Sequence, residues 1–205
     1  MTTQLKERPI ILTTQEVNAV LADYKTQHRM PVLTEQQVKS GYEWDFGADA
    51  DADAAIFYKY ANDGISIEET LLIDCPFGAI GDRLWVQEQS LIHCDWDWFY
   101  ADNTLVECKE PFTPNDLHLP WDDEHQEYIG PIGSEHLPRW ASRLLLEITD
   151  IRIERVQDIT LGDSLKEARD GLMDFAADYW IVKHGEAAWF TNPWVWVVEF
   201  KKVGS

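Results

Sequence analysis

The chain has 205 residues, with 37 Asp and Glu against 17 Lys and Arg, a formal charge of -20. Hydrophobic residues make up 45%, enough to build a core, which excludes a disordered tail. A surface this acidic repels phosphate backbones on average and excludes sequence-independent coating of nucleic acid, while leaving room for a local basic cleft.

The length predicts one elaborated domain. The opening MTTQLKERPIILTT has no apolar run of signal-peptide length, and no later window reaches the ~20 residues of a membrane span. Cys75, Cys94 and Cys108 form no CxxC pair and no even framework, which predicts a reducing, cytoplasmic setting.

In chain order, Thr13-Thr14-Gln15-Glu16 is a capping box, and Val17, Val20, Leu21 and Tyr24 follow at helical spacing. This predicts a helix over roughly 14–24. Lys25, Thr26, His28 and Arg29 come next, where the helix's C-terminal carbonyls favour cations. Residues 43–127 then hold 21 acids against three bases, Lys59, Arg83 and Lys109. The other residues carry 16 acids and 14 bases, so a nearly neutral framework holds an acidic middle. Its two stretches, about 36–74 and 94–134, are rich in Asp, Asn, Pro and Gly and lack clean periodicity, so they read as long acidic insertions.

Apparent metal signals in the middle fail on spacing. Asp49, Asp51 and Asp53 match the first ligands of a calcium loop, but Ala54 and Tyr60 stand where a glycine and a glutamate are needed. His93, Cys94, Cys108, His118 and His125 fit no zinc pattern, so neither a metal nor a cofactor is predicted. Gly78 and Gly81 are followed by no GK[ST] and mark a turn, after which Leu84 and Val86 alternate in a strand over 83–88.

Arg139 and Arg143 bracket Trp140, a grouping able to hold a phosphate and stack a base. The plainer outcome is Trp140 in the core and Arg143 paired with Glu88 or Glu147. Leu144, Leu146 and Ile148 alternate in a strand over 143–156 until Asp150 shifts the register to Ile151 and Ile153. Thr160 to Asp163 caps a second helix with Leu161, Leu165, Ala168 and Leu172 expected inward. Trp194, Trp196, Val198 and Phe200 share one face of the closing strand. Short helices among non-adjacent strands predict an α+β domain on a small, partly closed sheet.

The segments KERPI, YKTQHR, CPFGAIGDRLWVQE, LPRWASRLLLEITDIRIERVQDIT, ARDGL and NPWVWVVEFK, in that order, resemble the ASCH-domain family, more narrowly the ASCH proteins of tailed phages and prophages. The likeness covers the framework, about 5–32, 75–90, 135–174 and 190–202, of one domain spanning 1–205. It implies a PUA-like small β-barrel flanked by short helices, and recognition of RNA, a nucleotide or a modified base. The wider family includes an amidohydrolase of an acetylated cytidine, and ribonuclease activity is attributed to other members. By this resemblance Lys25 takes the place of the family's cleft lysine and Asp170, in ARDGL, that of its carboxylate. His28 stands where the hydrolases have a threonine, so an imidazole replaces their proposed nucleophile.

The expected cleft is lined by Lys25, Thr26, His28, Arg29, Arg83, Arg139, Trp140, Arg143 and Asp170. A lysine beside a carboxylate in a dry pocket can exchange a proton, and His28 can activate a water. A plain Lys25–Asp170 salt bridge is the alternative. Three functions stay open: binding of a nucleotide, modified nucleoside or short RNA; hydrolysis of a modified nucleoside or RNA by Lys25, His28 and Asp170; or imitation of nucleic acid. In the last, residues 43–127 capture a basic host protein, with Trp96, Trp98, Phe99, Tyr100 and Trp121 as anchors, unless the acidic surface simply aids solubility.

Overall fold

The computed structural model describes residues 5–44, 54–92, 98–106, 130–167 and 179–204. Elements run β1 (Glu7–Ile11), α1 (Thr14–Leu21), β2 (Gln27–Pro31), α2 (Glu35–Lys39), β3 (Glu43–Trp44), β4 (Ala54–Tyr60), β5 (Ile67–Asp74) and β6 (Arg83–Gln87). There follow β7 (Ser90–Ile92), β8 (Trp98–Tyr100), β9 (Gly130–Ile132), β10 (Leu145–Arg155), α3 (Leu161–Glu167), α4 (Ile181–His184), α5 (Glu186–Phe190) and β11 (Trp194–Lys202). The class is α+β, strand-dominated, with short helices.

A five-stranded sheet in the order β1-β6-β10-β11-β2 forms the framework, with β1 and β6 parallel and the other pairs antiparallel. Two three-stranded sheets, β3-β4-β5 and β8-β7-β9, accompany it. None of the three closes on itself among the described residues, so the expected barrel closure is not seen there.

Local signals explain the framework. Thr13 and Glu16 form the reciprocal cap of α1, which buries Val17 and Val20. The helix stops at Leu21 rather than 24 because Asp23 takes φ 62°, a left-handed position that ends the helical ladder. Leu84 and Val86 point into the core from β6, as do Leu146 and Ile148 from β10. A bulge between Ile148 and Asp150 then resets the phase, so that Ile151 is buried too. β11 is buried on both faces: Trp196, Val198 and Phe200 join the main core, while Val195 and Val197 meet Val156 and Trp180. Each large apolar side chain buried this way contributes about 1.5–3 kcal/mol.

Gly78, in the turn before β6, has φ 110°, and an added Cβ would lie 2.5 Å from Arg8 Nη1 and 2.6 Å from Asp82 Oδ2. Gly78→Ala is therefore expected to lower stability by about 1–3 kcal/mol, measured by urea denaturation. A loss under about 0.5 kcal/mol would show that the turn relaxes freely.

Two expectations change. The first acidic stretch, in which the sequence shows no clean periodicity, is nonetheless ordered into elements: it carries α2, with its own Thr34–Gln37 capping box, and the β4–β5 hairpin, whose Ala55 and Phe57 enter the main core. Its alternation is masked in the sequence because the other face of β4 carries Ile56, Tyr58 and Tyr60 instead of polar residues. In the second stretch, Trp98 and Tyr100 of β8 are buried with Val106, Ile132, Leu137 and Ala141, so they are core residues and not free anchors. The Asp49–Asp53 tract, Trp96, Trp121 and all of His93, Cys94, Cys108, His118 and His125 lie outside the described residues. Among the described residues no helix is long and apolar enough to cross a membrane.

Candidate functional site

Lys25 sits between α1 and β2, where the chain turns from helix to strand. Its backbone N–H donates to Ala19 O, and that of Thr26 donates to Lys166 O, fastening the turn to α3. Thr160 caps α3, its Oγ1 accepting from Asp163 N. The helix presents a charged face to the sheet: Glu167 is buried, whereas Leu161 is 79% exposed and Leu165 also faces out. The expected apolar face of this helix is thus corrected. The strand beneath offers Lys25 and Arg29, and buried cations demand carboxylates rather than leucines. Ala168, Leu172 and the predicted carboxylate Asp170 lie outside the described residues.

Among the described residues, Glu167 is the carboxylate that bonds Lys25. Lys25 Nζ donates to Glu167 Oε1 at 3.1 Å and to its carbonyl at 3.0 Å, and both side chains are fully buried. Glu167 also accepts from Arg29 N at 3.0 Å and Arg29 Nη1 at 3.2 Å. Arg29 further contacts Gln27 Oε1 at 2.8 Å and Glu154 Oε1. Arg152 then ties Glu154, Asp163 and Glu199 into one charged layer.

On the other side of Lys25 stands Glu16. Its Oε2 caps Thr13 N at 2.8 Å, while Oε1 accepts from Lys183 Nζ at 2.9 Å and from the Tyr179 hydroxyl. That hydroxyl lies 3.3 Å from Glu167 Oε1 and 3.4 Å from Lys25 Nζ, so it links the two carboxylates. Burial alone raises the Glu16 carboxyl, but Lys25, Lys183, His28 and the Tyr179 hydroxyl outweigh it and hold it well below the usual range.

His28 is 5% exposed and packs edge-on against Phe77, ring centroids 5.8 Å apart. Its Nδ1 is 3.8 Å from Glu16 Oε1, too long for a hydrogen bond, and has no hydrogen-bond partner among the described residues. Burial, with help from Lys183 and Lys25, pushes its pKa well below 6.5, so the ring is neutral at pH 7. His184, tilted against Trp180 with ring centroids 4.2 Å apart, is lowered to about 4 by burial and Lys183. The centre therefore sets Lys25, Lys183 and Arg29 against Glu16 and Glu167, with neutral imidazoles beside them. Lys183 is part-exposed and connects this polar chain to solvent.

The remaining predicted residues are not gathered into one basic cleft. Thr26 is half-buried beside Lys25. Arg83 opens β6 between Glu7 and Glu147 in the register, and its Nε has no partner among the described residues. Arg139 is exposed and pairs with Glu7 at 2.8 Å. Trp140 packs edge-on against Trp98, centroids 5.5 Å apart, as part of the small core around β8. Arg143 forks onto Glu88 at 2.8 and 2.7 Å, reaches Asp102 at 2.8 Å, and lies over the Tyr100 ring. The plainer reading of Arg143 and Trp140 holds, because a guanidinium leaving water takes the nearest carboxylate.

Sequence reasoning missed Glu16, Glu167, Tyr179, Lys183 and His184. Glu16 was visible only as a cap; its second oxygen was the overlooked signal. Glu167 carries no local mark in the sequence that sets it apart from Asp170, three residues later. Chemically, the centre is a chain of hydrogen bonds running from Lys183 through Glu16 and the Tyr179 hydroxyl to Lys25 and Glu167, with uncharged imidazole rings beside it. Among the described residues no three His, Cys, Asp or Glu side chains gather as metal ligands. No protein-family model matches the chain, and neither a curated protein nor a solved structure does.

Proposed function

We propose that the chain is an ASCH protein of PUA-like fold that binds a nucleoside-sized ligand, a modified base foremost, in the hollow at Lys25 and Thr26, against the buried centre of His28 and Glu167. The observation that supports this reading is the buried Lys25–Glu167 contact, made by segments 142 residues apart. The resemblance implies a carboxylate of the later helix opposite this lysine and gives that place to Asp170, three residues after Glu167. Charge balance supports a small ligand over a long RNA. Arg29, Arg139 and Arg143 each hold a carboxylate, so they present no phosphate rail.

Calorimetric titration with unmodified nucleosides, base-modified nucleosides, nucleotides and a short RNA tests the reading. Nucleosides are expected to bind saturably, with affinity at least tenfold weaker in His28→Ala and unchanged in Arg139→Ala. No saturable binding across the panel, or an unaltered His28→Ala, overturns it.

A hydrolytic reading has one observation in its favour: neutral His28 keeps Nδ1 unpartnered among the described residues, beside Glu16, where it can accept a proton from a water. It predicts slow release of the base modification, followed by mass spectrometry of the bound nucleoside and lost with His28→Ala.

A further inference from the structure

The β4–β5 hairpin carries a surface unrelated to the Lys25 centre. Among the described residues β5 pairs only with β4, so its other edge is a row of unpaired backbone N–H and C=O groups. Glu68 and Glu69 stand exposed along it, and Asp74 at its end. Lys59 lies 3.6 Å from each of the two glutamates, too far for a strong bond to either, while the Tyr42 hydroxyl donates to Glu69. The hairpin's outward face is apolar for a surface: Ile56 faces Leu72 and Tyr60 faces Ile67 in register. Ile67 is 53%, Leu72 61% and Ile65 82% exposed.

At its C-terminal end this edge runs into a hollow of about 390 Å³. Met30, Val32, Leu33, Ile73, Pro76 and Trp196 line it, with Asp74 among its few polar neighbours. The size falls in the range of ligand-holding clefts and accepts a large aliphatic side chain.

We infer that β5 docks an extended basic segment of a protein partner by strand addition. The partner's backbone completes the sheet, its lysines or arginines meet Glu68, Glu69 and Asp74, and an apolar side chain fills the hollow. Charge selects this occupant. A second copy adding along the same edge would set these acids against their own counterparts, on a chain of net charge -20. A nucleic acid strand meets the same repulsion.

The test uses isotope-labelled full-length protein and two eight-residue peptides, one alternating Lys with Val and Leu, the other with Glu in place of Lys. The basic peptide is expected to bind saturably, to slow amide exchange along 67–74, and to weaken at least tenfold in the Glu68→Lys/Asp74→Lys variant and in 0.5 M salt. A melting curve matching the parent establishes that this variant folds, and Glu68→Gln/Asp74→Asn, with a smaller loss, serves as the milder check. The inference is overturned by equal binding of the Glu peptide, protection elsewhere, an unaltered variant, or self-association that protects β5 without peptide. None of these outcomes touches the nucleoside reading, since no residue is shared.

Discussion

Lys25→Met is expected to lower the unfolding free energy by about 3–5 kcal/mol, the cost of leaving one buried charge without its partner. Lys25 Nζ has no exposed surface and lies 3.1 Å from Glu167 Oε1, with Tyr179 and Glu16 as its other polar neighbours. Methionine fills much of the same volume, so the loss isolates charge from packing. Glu167→Leu is expected to be worse, since it strips a carboxylate from both Lys25 and Arg29. The double variant is expected to lose less than the two singles together by about 1–3 kcal/mol, because each single strands the other's charge. Arg29 still keeps Glu154 in that variant. Urea denaturation followed by circular dichroism measures all three. A Lys25→Met loss within about 1 kcal/mol would mean that water reaches the pair, and with it the site's dryness would go.

The second large effect is a loss of stability on mild acidification. His28 titrates well below 6.5 in the fold because it is buried near Lys183 and Lys25, and near 6.5 once unfolded. The unfolded chain therefore takes up the proton first, and stability drains away as pH falls below about 6.5. Between pH 7 and 5 this amounts to at most about 2 kcal/mol for His28. His184, lowered to about 4, works in the same direction. Its part-exposed ring is screened by water, so its share is about 1 kcal/mol or less. Glu16 acts in a different window: its carboxyl is depressed in the fold, so its contribution is present above about pH 4.5 and is lost as pH falls further. Urea titrations at pH 7, 6 and 5 check the slope, and His28→Gln should flatten it. An unchanged slope in that variant would assign the acid sensitivity elsewhere.

These two effects share a cause that local patterns do not record. Capping and strand phase were legible: Thr13 and Glu16 close α1, and Leu84, Val86, Leu146 and Ile148 face inward as their spacing requires. So was the bulge at Asp150. Such features depend on neighbours within a few residues, where period and chemistry decide. The inward face of α3 was not legible, because its partner is a pair of cations on β2 and apolar spacing points to Leu161 and Leu165 instead. The hairpin in the first acidic stretch escaped because both of its faces carry apolar side chains.

Composition and spacing by themselves determined an acidic α+β chain with a near-neutral framework, the phase of its main strands, and a lysine and histidine placed just after the first helix. Tertiary structure alone decided that Glu167 pairs with that lysine among the described residues, that Arg139 and Arg143 are held by Glu7 and by Glu88 with Asp102 instead of lining a cleft, and that Tyr179 and Lys183 join the centre. Charge pairing is settled by proximity in space and by the cost of dehydration, and neither leaves a period in the chain.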